Sequence, residues 1–97
     1  MRVKIAYTVE MDEVEEEVMT IMQKSLSEIE KASDISLDAT RHLSNGNADI
    51  STVLVELDKT RRALSKADQI IMDCYEILKA YQQTLQRIEQ EVEDEKI

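Results

Sequence analysis

The sequence contains no proline, a single glycine (Gly46), and neither phenylalanine nor tryptophan; Tyr7, Tyr75 and Tyr81 are its only aromatic residues. A chain with so little Pro and Gly has few means of turning, so many short elements joined by tight turns are excluded and a few long ones are expected. Without large rings, a core must come from Leu, Ile, Val and Met, which suits helix packed on helix better than sheet on sheet. The lone cysteine, Cys74, cannot form an internal disulfide, and nothing in cysteine usage points to secretion. No apolar run approaches the roughly 18 residues of a membrane-spanning helix. The opening MRVKIAYTVEMDE has no continuous apolar segment of the kind a signal peptide needs. No membrane association is expected, and the cytoplasm is the expected compartment.

Basic charge is also scarce. Twelve Lys and Arg face 21 Asp and Glu, for a net charge of −9. That balance argues against direct binding of nucleic acid through its phosphates, and it suits a soluble surface. One glycine cannot build a glycine-rich phosphate loop.

What the chain does have is periodicity. Every seventh residue from Ile50 is apolar: Ile50, Leu57, Leu64, Ile71, Leu78, Leu85, Val92. Three residues further on runs a second column, Val53, Thr60, Ala67, Cys74, Tyr81, Ile88, apolar or small throughout. Such a pair of columns is the a and d pattern of a coiled-coil helix, sustained over several heptads with no Gly or Pro to break it. Further apolar residues flank it, with Ala63, Ile70 and Ile77 at g and Leu54 and Tyr75 at e. The apolar stripe is thus wider than a two-stranded seam requires.

The rest of the chain is read against that helix. Residues 2–11 alternate, with Val3, Ile5, Tyr7, Val9 and Met11 on one side and polar or small residues on the other, which predicts a half-buried strand. No second strand is visible, so its backbone lacks a partner within the chain. Asp12 followed by Glu15 fits a capping box at the start of a first helix over 12–44. The apolar positions of that helix are Val14, Val18, Ile21, Met22, Leu26, Ile29, Ala32, Leu37 and Leu43. Ser33, Asp34, Ser36 and Thr40 are indifferent helix formers, and a break near Ser33–Ser36 is an open alternative.

A turn at 45–47 centres on Gly46, with Asn47 or Asp49 placed to cap a second helix over 48–93, and residues 94–97 form a frayed tail. A short connection makes the helices antiparallel neighbours. Pivoting at Gly46 brings Leu43 level with Ile50, Ile29 with Leu64 and Met22 with Ile71, which the heptads predict to face one another. At 1.5 Å per residue the second helix overhangs the first by about 20 Å, carrying Tyr81, Leu85, Ile88 and Val92.

Catalytic and metal-binding chemistry finds little footing. His42 shares a face with Asp38 and Asp34 but lacks a third strong donor and any familiar spacing, so a histidine favourably placed near a helix C-terminus is expected instead of a metal ligand. Cys74, at a seam position with no base nearby, is expected to be a small buried hydrophobe. The acidic runs at Glu13–Glu17 and 89–95 suit solvated helix ends, since acid–base catalysis needs desolvated partners in a pocket. In the cluster Lys59, Arg61, Arg62 and Lys66, Asp58 precedes Arg62 by four residues and Glu56 precedes Lys59 by three, so the cluster is largely neutralised locally.

The expected fold is therefore mainly α: one domain over 1–97, a long antiparallel, coiled-coil-like helical hairpin with one short N-terminal β-strand. It is expected to assemble into a four-helix-bundle-type homo-oligomer, a dimer or higher. The expected interface comprises Val3, Ile5, Tyr7 and Val9 of the strand with Leu57, Leu64, Ile70, Ile71, Cys74, Ile77, Leu78, Tyr81, Leu85 and Ile88 of the second helix. The leading functional expectation is a non-catalytic module acting through association with itself and with another protein, without metal or cofactor. Two alternatives are an acidic nucleic-acid mimic that inhibits a nucleic-acid-binding protein, and a helical enzyme whose site forms between subunits.

Overall fold

The chain reverses direction once, at Gly46. In the structure, a computed structural model that describes residues 11–95 (side chains over 12–92), a short 3-10 turn at Met11–Glu13 leads into α1, Val14–Ser44. After the turn comes α2, Ile50–Glu95. Asn45 ends α1 and Gly46 follows at φ +77°, the left-handed position expected just past a helix C-terminus. Asp49 then caps α2: its Oδ1 accepts from the Ser51 amide at 3.1 Å and its Oδ2 from the Thr52 hydroxyl at 2.9 Å.

Several expectations are corrected. The strand at 2–11 is not among them: it lies outside the described residues except for Met11, which belongs to the 3-10 turn. The capping box at Asp12 is not formed. Glu13 holds the cap position in a helical conformation and makes no side-chain cap hydrogen bond, because the entering turn is already wound. Glu15, Glu16 and Glu17 still crowd the first turn, where the helix dipole favours them. There is no break at Ser33–Ser36. The hydroxyl of Thr40 donates back to the Ser36 carbonyl at 2.9 Å, so it is satisfied inside the helix. Backbone helix in α2 also continues through Glu95, past the expected start of fraying.

The largest correction concerns which face of α2 meets α1. The residues of α2 turned inward are Val53, Glu56, Thr60, Ala63, Ala67, Ile70, Cys74, Ile77, Tyr81 and Thr84, at alternating spacings of three and four. Those are the d and g columns. Their counterparts on α1 are Val14, Val18, Ile21, Ser25, Glu28, Ala32, Ile35 and Ala39. The column that begins at Ile50 is not in the seam at all.

Side-chain size explains the choice. The seam is lined by Ser25, Ala32, Ala39, Ala63, Ala67 and Cys74, all buried, and small residues let two helices approach closely. The Cys74 sulfur reaches to 3.9 Å from the backbone carbonyl oxygen of Val18 on the facing helix. A column of Leu and Ile would hold the helices further apart. The Val14, Val18 and Cys74 end of the seam is the best filled, with Ile21, Met22, Ile70, Ile77 and Tyr81 packed around it.

The result is a thin rod of 76 × 27 × 16 Å with a radius of gyration of 20.7 Å, where a compact domain of this length has about 13 Å. Its accessible surface is 8223 Å², against about 5,700 Å² for a compact monomer of this mass. A molecule one helix thick has no interior beyond its seam.

Candidate interaction surface

Successive residues of an α-helix turn by about 100°, so the two columns flanking a seam lie on opposite sides of it. On one flank of the α1 seam stand Met22, Ile29, Ser36 and Leu43, with Met19 and Leu26 further round; on the other stand Glu17, Lys24, Lys31 and Asp38. On α2 the corresponding flanks are the column from Ile50 to Val92, with Leu54 and Tyr75 beyond it, and the column Thr52, Lys59, Lys66, Asp73, Ala80. Because the helices are antiparallel, the two apolar flanks come to the same side of the rod and the two polar flanks to the other.

The hairpin thus has one apolar broad face and one charged broad face. Leu43 and Ile50, Ile29 and Leu64, and Met22 and Ile71 are level with one another, as the pivot at Gly46 requires. They lie side by side along the open face instead of facing each other across the seam. The seven residues of the Ile50 column are between 39% and 59% exposed. The fully buried apolar residues of the described chain are Val, Ala and Cys; none is Leu, Ile or Met. Large apolar side chains outside and small ones inside is the reverse of what water favours for a lone chain. Soluble monomers rarely leave large apolar side chains exposed in so regular a row.

The expected interface residues divide accordingly. Leu57, Leu64, Ile71, Leu78, Leu85 and Ile88 are exposed, the first five in the open column. Cys74 is buried in the seam, and Ile70, Ile77 and Tyr81 are half-buried against it, so these four serve the hairpin itself. Val3, Ile5, Tyr7 and Val9 lie outside the described residues. Met19, Leu26, Ile29 and Leu43 belong to the open face although they were not among the expected interface residues. The signal for them was the complementary column Val18, Ser25, Ala32, Ala39, which is small and so matches the small d column of α2.

A polar pair also joins the two helices. Nδ1 of His42 lies 2.7 Å from Oε1 of Glu56, joining the two helices near the turn. The pairing crosses between the helices, whereas the sequence sets Glu56 beside Lys59 and His42 on a face with Asp38 and Asp34. The expected Asp58–Arg62 pair is present at 2.9 Å on the exposed surface. Burial, with a smaller contribution from Asp73, pushes the Cys74 thiol above its ordinary value, the opposite of an activated nucleophile. Among the described residues, no three His, Cys, Asp or Glu side chains converge as metal ligands. No described helix is long and apolar enough to cross a membrane.

Comparison of the chain with models of protein families, with curated proteins and with solved structures finds no match.

Proposed function

We propose that this chain acts by association and not by catalysis, as a small acidic helical module that pairs with a second copy to form a four-helix bundle and presents the assembled surface to another protein. One observation carries the reading: a hairpin whose own seam is lined mainly by small side chains exposes a column of Leu, Ile and Val along the whole of α2, flanked by Met19, Leu26 and Ile29 of α1. Two such faces in contact would supply the large-residue core that each hairpin lacks. The charged faces would point outward, and the net charge of −9 would keep the bundle soluble. In this reading nucleic acid is not a direct ligand, no cofactor is used, and the assembly works in the cytoplasm.

Sedimentation equilibrium of the unmutated chain over a range of micromolar concentrations tests it. A mass of twice 11.2 kDa is expected, little changed by raising the salt, because apolar contact is not screened by ions. A single species of 11.2 kDa at the highest concentration would contradict it.

A further inference from the structure

We infer that the open face is self-complementary about a twofold axis at Ile71, so that the second copy lies antiparallel, its turn at the opposite end of the rod. The inference rests on the reading of the chain as a self-associating module and specifies how the two copies meet.

Two apolar broad faces can be apposed with twofold symmetry in only two ways. With the axis along the rod, the two turns share an end, and α2 of one copy lies against the partner's α1 at the same level. With the axis across the rod, the turns are at opposite ends, and α2 lies against the partner's α2 in reverse. The sequence of the open column distinguishes them. Its seven residues, Ile50 to Val92, are evenly spaced, and Ile71 is the middle one.

Reversed about Ile71, the column pairs with itself throughout. Ile71 meets the partner's Ile71, Leu64 meets the partner's Leu78, Leu57 meets the partner's Leu85, and Ile50 meets the partner's Val92. Every contact is apolar on apolar. With the turns together, Leu57 would instead sit on the partner's Ser36 and Leu78 on the partner's Glu15. Leu85 and Val92 would lie past the N-terminal end of the partner's α1, which begins at Val14.

The face of α1 agrees independently. Its apolar residues Met19, Met22, Leu26 and Ile29 cluster around the level of Ile71, whereas Ser33, Ser36 and Thr40 occupy the half nearer the turn, where Leu43 is the one large apolar residue. In the antiparallel arrangement Met22 meets the partner's Met22 and Leu26 lies beside the partner's Met19, with Ile29 at the level of the partner's Glu15 as the one polar pairing, and residues of α1 beyond about 30 have no partner's α1 opposite them. Apolar character is thus concentrated where α1 has a counterpart and falls away where it has none.

Charge raises no obstacle. Along the outer edge of α2, reversal about Ile71 brings Arg61 to within one residue of the level of the partner's Gln82 and Asp68 to within one of the partner's Tyr75, so no like charges meet along that edge. The extent suffices as well. From Ile50 to Val92 the strip is about 63 Å long at 1.5 Å per residue, and with the apolar part of α1 it covers on the order of 1,000 Å² per copy. A standard stable interface buries about 800 Å² per partner.

Disulfide trapping tests the arrangement, with Cys74→Ala as background so that each engineered thiol is the only one. Ile71→Cys, Leu57→Cys and Leu85→Cys are refolded from denaturant in air, singly and as an equimolar mixture of the last two, with helicity and mass recorded before oxidation. Ile71→Cys should cross-link to itself nearly completely. Leu57→Cys and Leu85→Cys should stay uncross-linked alone and cross-link when mixed. Self-cross-linking of Leu57→Cys and of Leu85→Cys, or a dimeric mass with no Ile71 cross-link, overturns the antiparallel arrangement while leaving self-association intact. A monomeric mass for the helical Cys74→Ala background, with the unmutated chain monomeric as well, overturns both.

Discussion

At the scale of single residues, a few positions carry more than their share of the hairpin. Gly46 is one. Its φ of +77° is disfavoured for any residue with a Cβ, yet nothing lies within 4 Å of where that Cβ would be. Gly46→Ala should therefore cost only the backbone strain, about 1 kcal/mol, visible as a lower melting temperature with helix content retained. Glu28 is another. Its Oε2 is buried without a hydrogen-bond partner at a seam position, and such an orphan is costly. Glu28→Met keeps the length and removes the orphan, and should raise stability by about 1 kcal/mol, or several degrees in a domain of this size. Cys74 is the third. Its thiol should react slowly with alkylating reagents at pH 8 in the folded protein and promptly in denaturant. Because its folded pKa lies above the ordinary 9.0, the unfolded thiol ionises first. The stability it lends is complete at neutral pH and is lost as pH rises beyond about 9.

At the scale of elements, the two helices, their turn, the capping by Asp49 and the antiparallel levels were legible in the sequence, because periodicity and the one Gly dictate them. The face of contact was not. Both the a/d and the d/g columns of α2 are apolar or small apart from Glu56 at g, and periodicity alone cannot say which pair turns inward. Side-chain size decides it: Ser25, Ala32 and Ala39 on α1 admit Ala67 and Cys74 but leave the Leu and Ile column outside. The cap at Asp12 also misled, since the spacing fits but the chain enters α1 through a wound turn. The partner of His42 was missed because Glu56 is on the other helix, and a local reading finds only Asp38. The part of α2 past Tyr81 has no described element against it, and Leu85, Ile88 and Val92 are exposed. If the second copy covers it, amide hydrogen exchange over 85–92 should be as slow as over 60–80 in the unmutated chain. It should quicken by at least tenfold in a variant that cannot dimerise. Equal, fast exchange over 85–92 in both would mean that no copy covers this end.

At the scale of the whole molecule, the central claim is a division of labour. The small-residue seam holds the hairpin together, and the large-residue face is the one proposed to make the assembly. Leu64 and Ala67 are neighbours on α2, three residues apart, yet one is 49% exposed and the other 2%. The same charge placed at each should have opposite consequences. Ala67→Asp buries a carboxylate between the helices, at a cost of several kcal/mol, and should abolish the hairpin itself. Leu64→Asp leaves the seam untouched. The most direct measurement is light scattering and far-ultraviolet circular dichroism on Leu64→Asp beside the unmutated chain. The division of labour predicts an unmutated dimer and a Leu64→Asp monomer of 11.2 kDa that keeps a strongly helical spectrum; a Leu64→Asp protein that stays dimeric, or one that loses its helix as Ala67→Asp does, would contradict it.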